Sequence, residues 1–178
     1  MDDPGRIAPD DGAQGRRVAG WASAAEAAGG RHEAQQRTVR ELVAFGGVPA
    51  GARVLDSGCG IGASAIMLAK DLDCTVDGIT LSHEQVRRVE EKAAAAGVSD
   101  RTRFRVMDAL HVDYPDETFD AVWSMESCEL MPDKRAYLAE CARVLKPGGT
   151  LVVATWCSRD DKLTGSEVRL LRARGTRR

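Results

Sequence analysis

Aromatic residues are scarce in this sequence of 178 residues, and neither sign of charge dominates it. Phe, Trp and Tyr together make up 4% of the chain, which leaves too few rings for the stacking platforms that bind single-stranded nucleic acids. The formal net charge is −2, so the chain lacks the basic excess that nonspecific binding to nucleic acid needs. We therefore expect no nucleic-acid partner.

The sequence also lacks a long apolar run, a secretion signal and a cysteine-pair motif. No stretch approaches the ~20 apolar residues of a membrane helix, so we expect no membrane span. The start, Met1-Asp2-Asp3-Pro4, is acidic and polar, unlike a signal peptide, and we expect a cytoplasmic protein. The five cysteines include no C-x-x-C pair, which argues against a disulfide framework and against a metal site.

Length and composition predict one main folded domain. Residues 1–30 are rich in Gly, Asp, Ala and Arg without a periodic apolar pattern, and we expect them to be largely disordered. Residues 31–158 carry the periodic patterns of the domain. Residues 159–178 contain seven Arg and Lys against three acids, which predicts a basic, partly disordered tail, with binding to an anionic partner or a membrane surface as the alternative.

Strand and helix patterns alternate through the domain. We predict helices at 31–45, 63–70, 82–97 and 133–145, and strands at 53–56, 74–79, 104–107, 119–124 and 150–156. This alternation is typical of an α/β fold with a doubly wound, mostly parallel sheet and right-handed crossovers. Few residues follow Trp156, and from Lys162 onward no strand pattern is visible, so we expect the last strands of such a sheet to be lacking.

A glycine-rich loop, Gly58-Cys59-Gly60-Ile61-Gly62, joins the first strand to the following helix. Glycines at every second position let a ligand approach the backbone closely, beside the free N–H groups of a helix start. The spacing is G-x-G-x-G, whereas nicotinamide dehydrogenases use G-x-G-x-x-G with an acid at the end of the second strand. Thr80-Leu81 stands there instead, which disfavours a dinucleotide site.

The loop with its preceding strand, V-L-D-S-G-C-G-I-G, resembles motif I of the class I S-adenosylmethionine-dependent methyltransferases. That fold is Rossmann-like. The resemblance implies that Gly58, Gly60 and Gly62 line the methionine and ribose part of S-adenosylmethionine. It implies that Asp56 orients the loop or meets the aminoacyl end of the cofactor.

The end of the second strand, G-I-T-L-S-x-x-Q, is similar to a subgroup that includes tocopherol C-methyltransferases and cyclopropane fatty-acid synthases. In many family members an acid holds the ribose hydroxyls here. The resemblance implies that Thr80, Leu81 and Gln85 share the ribose and adenine contacts. Gln85 also stands at capping-box spacing from Ser82, and this purely structural role remains equally open.

Asp108-Ala109 follows the third strand. The resemblance implies that Asp108 accepts the adenine amino group. A carboxylate buried at a strand end needs a hydrogen-bond partner, which favours such a role.

The segment from Phe119 to Lys134, together with Thr155-Trp156-Cys157 at the end of the fifth strand, resembles the tocopherol (phytyl-quinol) methyltransferases. The resemblance extends over about residues 31–159. It implies methyl transfer to a prenylated phenol or quinol or a related natural product, with Ser124 on the cofactor side. The Gly-Glu-His of that family is Cys128-Glu129-Leu130 here, so proton transfer by an imidazole at this position is excluded.

Methyl transfer requires collinear alignment of nucleophile and methyl group and needs no metal. Glu126 and Glu129 are the acid–base groups beside the predicted site, and we expect them to act there as catalytic or orienting residues. A different hypothesis is a shortened, noncatalytic protein that binds S-adenosylmethionine, or a regulatory partner. An unpaired sheet edge would also allow a homodimer.

Overall fold

The computed structural model describes residues 30–157 and 167–168. Its helices are α1 (Arg31–Gly46), α2 (Ala63–Asp71), α3 (His83–Ala95) and α4 (Lys134–Val144), with a 3₁₀ turn at Cys128–Leu130. The strands of the main sheet are β1 (Arg53–Ser57), β2 (Thr75–Thr80), β3 (Thr102–Val106), β4 (Phe119–Met125) and β5 (Leu145–Ala154). Two further strands, β6 (Trp156–Cys157) and β7 (Glu167–Val168), pair with each other in antiparallel fashion.

The main sheet is parallel throughout and has the order β3-β2-β1-β4-β5. Val54 of the central strand β1 lies between Val76 of β2 and Ala121 of β4. The chain builds outward on one side of β1 as far as β3 and then crosses to the other side with β4. The strand order therefore reverses between β1 and β4, and ligands bind such sheets beyond the carboxyl ends of the strands at this switch point.

Apolar side chains cover both faces of the sheet, as the sequence pattern predicts for a doubly wound fold. Successive residues of β1 point to opposite sides, so Val54 joins one core cluster and Leu55 the other. The first cluster includes side chains of α1, α2 and α3, and the second is built with α4 and the segment before β4. This packing fixes the strand ends relative to one another.

Caps define the helix boundaries near the sequence-predicted positions. The Ser82 side chain accepts a hydrogen bond from the Gln85 backbone N–H at the start of α3, and Asp133 caps α4 through the N–H groups of Arg135 and Ala136. Such caps satisfy N–H groups that the helix itself leaves without partners. At the other end, Gly47 closes α1 in the left-handed conformation.

The start of β5 differs from the sequence prediction. The strand begins at Leu145, which pairs with Phe119, whereas the next paired residue of β5 is Thr150, opposite Ala121. The stretch Lys146 to Gly149 is thus an irregularity inside the strand rather than a loop before it. Pro147 has no N–H to donate, so the sequence around it predicts a loop between the helix and the strand.

The chain beyond β5 gives one more correction. Within the described residues, the main sheet has five strands, so the expectation that its last strands are lacking is confirmed. A strand at Glu167–Val168 was not expected, because a pairing of two residues is too short to show alternation. The segment 1–30, predicted to be disordered, lies outside the described residues except for Gly30. The basic tail, residues 159–178, lies outside them except for Glu167 and Val168. Within the described ranges, no helix is long and apolar enough to cross a membrane.

Candidate functional site

Backbone hydrogen bonds hold the glycine-rich loop against the end of β2. The N–H groups of Gly58 and Cys59 both donate to the carbonyl oxygen of Ile79, at 3.1 and 2.9 Å. Gly62, in the left-handed conformation, forms the N-cap of α2. The first turn of α2 therefore opens toward the switch point of the sheet, which is the arrangement predicted from the sequence.

The three loop glycines meet different surroundings. A Cβ atom at Gly58 would overlap the side chain of Ser127, and one at Gly62 would overlap Val89. A Cβ atom at Gly60 would meet no atom within 4 Å, although the φ angle of +54° also favours glycine there. Gly58 and Gly62 thus permit close packing of the protein on itself. Gly60 borders open space, where a ligand can approach the backbone.

Asp56, at the end of β1, is a buried carboxyl group that lacks a full set of partners. Its side chain is 2% exposed, and it accepts a backbone hydrogen bond from Ala65 in the first turn of α2. The Oδ2 atom has no hydrogen-bond partner. Burial raises the pKa of Asp56 to about 7. Because an unpaired buried oxygen is costly, this atom is suited to accept from an N–H or ammonium group of a ligand.

The neighbouring thiol is not a nucleophile at neutral pH. Burial raises the pKa of Cys59 far above its ordinary value, and the charge of Asp56 raises it further. Thiolate chemistry at the loop is therefore excluded, since the thiolate is the reactive form. Among the residues that the structure describes, no group of three or more His, Cys, Asp or Glu side chains could hold a metal ion.

At the end of β2, Thr80 and Gln85 form a joined pair. The Thr80 hydroxyl donates to Oε1 of Gln85 at 2.5 Å and accepts from the backbone N–H of Ser82. In a complete capping box, the Gln85 side chain would accept a hydrogen bond from the backbone N–H of Ser82. Here it accepts from Thr80 instead, and the Ser82 N–H donates to Thr80. Leu81, between them, is 74% exposed. The three residues predicted to share ribose and adenine contacts lie together at one strand end.

Asp108 is placed differently from the sequence-based argument. Its side chain is half exposed rather than buried, and Oδ1 accepts from the backbone N–H of Leu110 at 2.9 Å. The inference from a costly buried carboxylate is therefore wrong, because Asp108 follows an edge strand of the sheet and its side chain reaches solvent. His111, which faces Oδ2 at 3.6 Å, is strongly exposed. Ala109 packs into the second core cluster, so its side chain is directed away from solvent.

The two predicted acid–base residues follow β4. Glu126 is exposed and has a φ angle of +53°, a left-handed conformation that is uncommon for a residue with a side chain. Its N–H donates to the carbonyl oxygen of Ala154 at 2.7 Å. Glu129, in the 3₁₀ turn, accepts from the Thr155 hydroxyl at 2.7 Å through Oε2. Both glutamates are therefore held to the carboxyl end of β5.

A buried network of hydroxyl groups lies beneath the loop. Ser127 donates to the carbonyl oxygen of Ser57 at 2.8 Å, and its Oγ lies 2.9 Å from that of Ser124. The Tyr137 hydroxyl also donates to the Ser57 carbonyl, at 3.4 Å. Ser124, predicted to lie on the cofactor side, is 1% exposed, and its side chain supports this network instead of facing open space.

Sequence reasoning missed Ser127 and Thr155 as functional candidates. Ser127 reaches a carbonyl 70 positions earlier in the chain, and Thr155 reaches a carboxylate 26 positions earlier. Neither contact has a local signal in spacing or periodicity. The available clue is that both residues lie within two positions of the end of a parallel strand, where side chains converge.

Exposed large apolar side chains gather at the same edge of the sheet. Those that the described part of the chain exposes all follow or end strands on the carboxyl side, or lie in the glycine loop: Ile61, Leu81, Val106 and Leu130. Polar groups and exposed apolar groups thus occur together along the carboxyl edge of the sheet, from β3 to β4, which is typical of a site for a partly apolar small molecule.

Together, the parallel sheet, the glycine loop and the acidic strand ends define a Rossmann-like class I methyltransferase domain. Residues 54–149 match the family model described as a methyltransferase domain, and the chain belongs to this family. The probable tocopherol O-methyltransferase, chloroplastic, of Oryza sativa subsp. japonica is 43% identical over 165 residues, which is 86% of this chain and 46% of that protein.

Two solved structures extend the comparison. Geranyl diphosphate methyltransferase in complex with S-adenosylmethionine superposes with a TM-score of 0.66 at 32% identity, over 71% of this chain and 47% of that one. The [4+2]-cyclase SpnF superposes with a TM-score of 0.73 at 32% identity, over 85% of this chain and 57% of that one. This chain thus spans about half the length of these relatives.

Proposed function

We propose that this chain binds S-adenosylmethionine and forms the cofactor half of a small-molecule methyltransferase. One observation carries the proposal: the unpartnered Oδ2 atom of buried Asp56 lies at the end of β1, next to the glycine loop. A ligand ammonium group supplies the partner that this atom lacks. The family membership and the neighbour solved with S-adenosylmethionine support the same cofactor.

Residues at the ends of different strands bind different parts of the cofactor. Asp56 receives the ammonium group, while the open space at Gly60 admits the adenosine against the backbone. Thr80 and Gln85 offer hydroxyl and amide groups to the ribose, and Leu81 offers an apolar surface to the adenine. Asp108 offers its Oδ2 atom to the adenine amino group: Oδ1 already accepts from Leu110, and the exposed His111, 3.6 Å from Oδ2, turns aside when the adenine binds. Gly58, Gly62, Ala109 and Ser124 shape the cavity through packing.

The bound cofactor supplies a methyl group on a sulfonium, which is electrophilic without help from a metal. The protein has to align the acceptor with this methyl group and remove a proton from the acceptor hydroxyl. Glu129 is suited to the proton transfer, since Thr155 fixes its Oε2 atom and leaves Oε1 for the acceptor. Glu126, exposed at the end of β4, orients the acceptor or the cofactor.

The acceptor is a phenol or quinol that carries a prenyl chain, or a related natural product. The exposed side chains of Ile61, Val106 and Leu130 support an apolar acceptor, because their burial by a bound prenyl chain is favourable by about 25 cal/mol per Å². The tocopherol methyltransferase relative supports the phenolic ring. The absence of an imidazole at Leu130 leaves a carboxylate as the base.

Radiolabelled S-adenosylmethionine, incubated with the chain and a panel of prenylated hydroquinones, phenols and amines, tests the function. We expect label in a hydroquinone or phenol product, with Glu129→Gln strongly reduced. Binding of S-adenosylmethionine without transfer to any acceptor would instead support the noncatalytic alternative. Transfer to amines alone would contradict the assigned acceptor class.

We further propose that residues 31–158 form the folded domain. Two copies of this domain associate through the outer edge of β5, the last strand of the main sheet. Light scattering of the purified chain tests the dimer. The cytoplasmic location stays a prediction, since the rice relative is described as chloroplastic.

A further inference from the structure

Ser127 connects two parts of the site that belong to different strands. Its hydroxyl donates to the carbonyl oxygen of Ser57, the residue immediately before the glycine loop, at 2.8 Å. Its Cβ lies so close to Gly58 that a side chain at Gly58 would overlap it. Ser127 is 4% exposed, so water does not compete for these contacts. The loop and the segment after β4 therefore share one contact surface.

The same residue belongs to the turn that carries the two glutamates. Glu126 precedes it with a φ angle of +53°, a conformation that turns the chain after β4 sharply. The carbonyl oxygen of Ser127 then accepts from the N–H of Leu130 at 3.0 Å and closes the turn that contains Glu129. A displacement of Ser127 thus moves the loop contact and the turn together.

Resting on the proposed function, we infer that Ser127 is a positioning residue that couples occupancy of the glycine loop to the geometry of the turn Glu126–Met131. A ligand seated on the loop fixes the Ser57–Gly58 peptide. Because Ser127 is hydrogen-bonded to this peptide, its own position becomes fixed as well. The turn that contains Glu126 and Glu129 then moves less. The acceptor side becomes ordered when the cofactor side is filled.

The comparison variant is at Tyr137, whose hydroxyl comes from α4 and donates to the same Ser57 carbonyl at 3.4 Å, beside the side chains of Ser124 and Ser127. Ser127→Ala removes the donor that belongs to the turn, and Tyr137→Phe removes the other donor. A residue with a purely structural role would give the same behaviour in both variants. A coupling residue would not.

Hydrogen exchange of the full chain, with and without S-adenosylhomocysteine, reads the coupling directly. In the wild-type chain, we expect this ligand to slow exchange in the loop and also at the amides of Leu130 and Met131. In Ser127→Ala, we expect protection of the loop alone and about fivefold weaker binding by calorimetry, since one buried hydrogen bond is lost. Tyr137→Phe keeps protection of both segments.

Equal protection of the turn in Ser127→Ala and the wild-type chain would overturn the coupling while leaving the proposed function intact. Should Ser127→Ala fail to fold, Ser127→Cys gives the same comparison with a weaker donor. Absence of ligand binding to the wild-type chain would overturn the proposed function and this inference together.

Discussion

The hydroxyl of Thr155 donates to Oε2 of Glu129 at 2.7 Å, which links the end of β5 to the turn after β4. A hydrogen bond to a carboxylate is stronger than one between neutral groups, and it fixes the direction of the second oxygen. Glu129, the proposed base after β4, is thus oriented by Thr155, the residue that follows β5.

Thr155→Val removes this donor with little change in volume. We expect the rate of methyl transfer to a prenylated hydroquinone to fall about tenfold, because the carboxylate of Glu129 loses its fixed direction. Affinity for S-adenosylhomocysteine should stay unchanged, and Thr155→Ser should restore the rate. A slow Thr155→Ser variant would contradict this assignment, since the hydroxyl is still present.

Asp56 makes ligand binding depend on pH. Burial raises its pKa to about 7, and only the ionised form attracts an ammonium group. Affinity for S-adenosylhomocysteine should therefore rise roughly tenfold between about pH 6 and about pH 8. The thiol of Cys59, the titratable neighbour in the loop, has a pKa raised well above this range and does not contribute. Calorimetric titrations of Asp56→Asn should show a flat profile.

The same group sets a trend in the stability of the free chain. The unfolded chain loses the Asp56 proton near the ordinary value of 3.8, whereas the folded chain keeps it up to about pH 7. Between these values the folded state binds more protons, so the free energy of unfolding falls as pH rises, by roughly 4 kcal/mol in total. Denaturant unfolding should show this decline in the wild-type chain, and a much shallower one in Asp56→Asn. An equal decline in both would refute the assignment.

Gly60 and Gly62 separate ligand binding from folding. Gly60→Ala places a methyl group in open space at a cost of about 1 kcal/mol for the positive φ angle, so the chain should fold but bind S-adenosylhomocysteine more weakly. Gly62→Ala forces an overlap with Val89, so it should lower the midpoint of thermal unfolding more than Gly60→Ala does. Circular dichroism and calorimetry on both variants check this. Unchanged affinity in Gly60→Ala would place the ligand elsewhere.

The sequence was informative where local chemistry decides the structure. Apolar runs, the glycine loop and the capping-box spacing at Ser82 predict the strands and helices to within a few residues. The start of β5 was misplaced, because Pro147 suggests a break that the sheet accommodates as an irregularity. The strand at Glu167–Val168 was missed because two residues show no period.

The site could be predicted only in part. The strand ends were predicted to carry the ligand contacts, and the structure brings Thr80 and Gln85 together there. The exposure of Asp108 depends on how the chain leaves β3, and the bond from Ser127 to Ser57 depends on the packing of distant segments. Such contacts are set by tertiary structure and leave no periodic trace in the sequence.

Calorimetric titration of the purified chain with S-adenosylhomocysteine, in parallel with NAD, tests the central claim most directly. The account predicts saturable binding of S-adenosylhomocysteine, weakened in Asp56→Asn and in Gly60→Ala, and no binding of NAD. Binding of NAD, or no heat from S-adenosylhomocysteine with the folded wild-type chain, would contradict it.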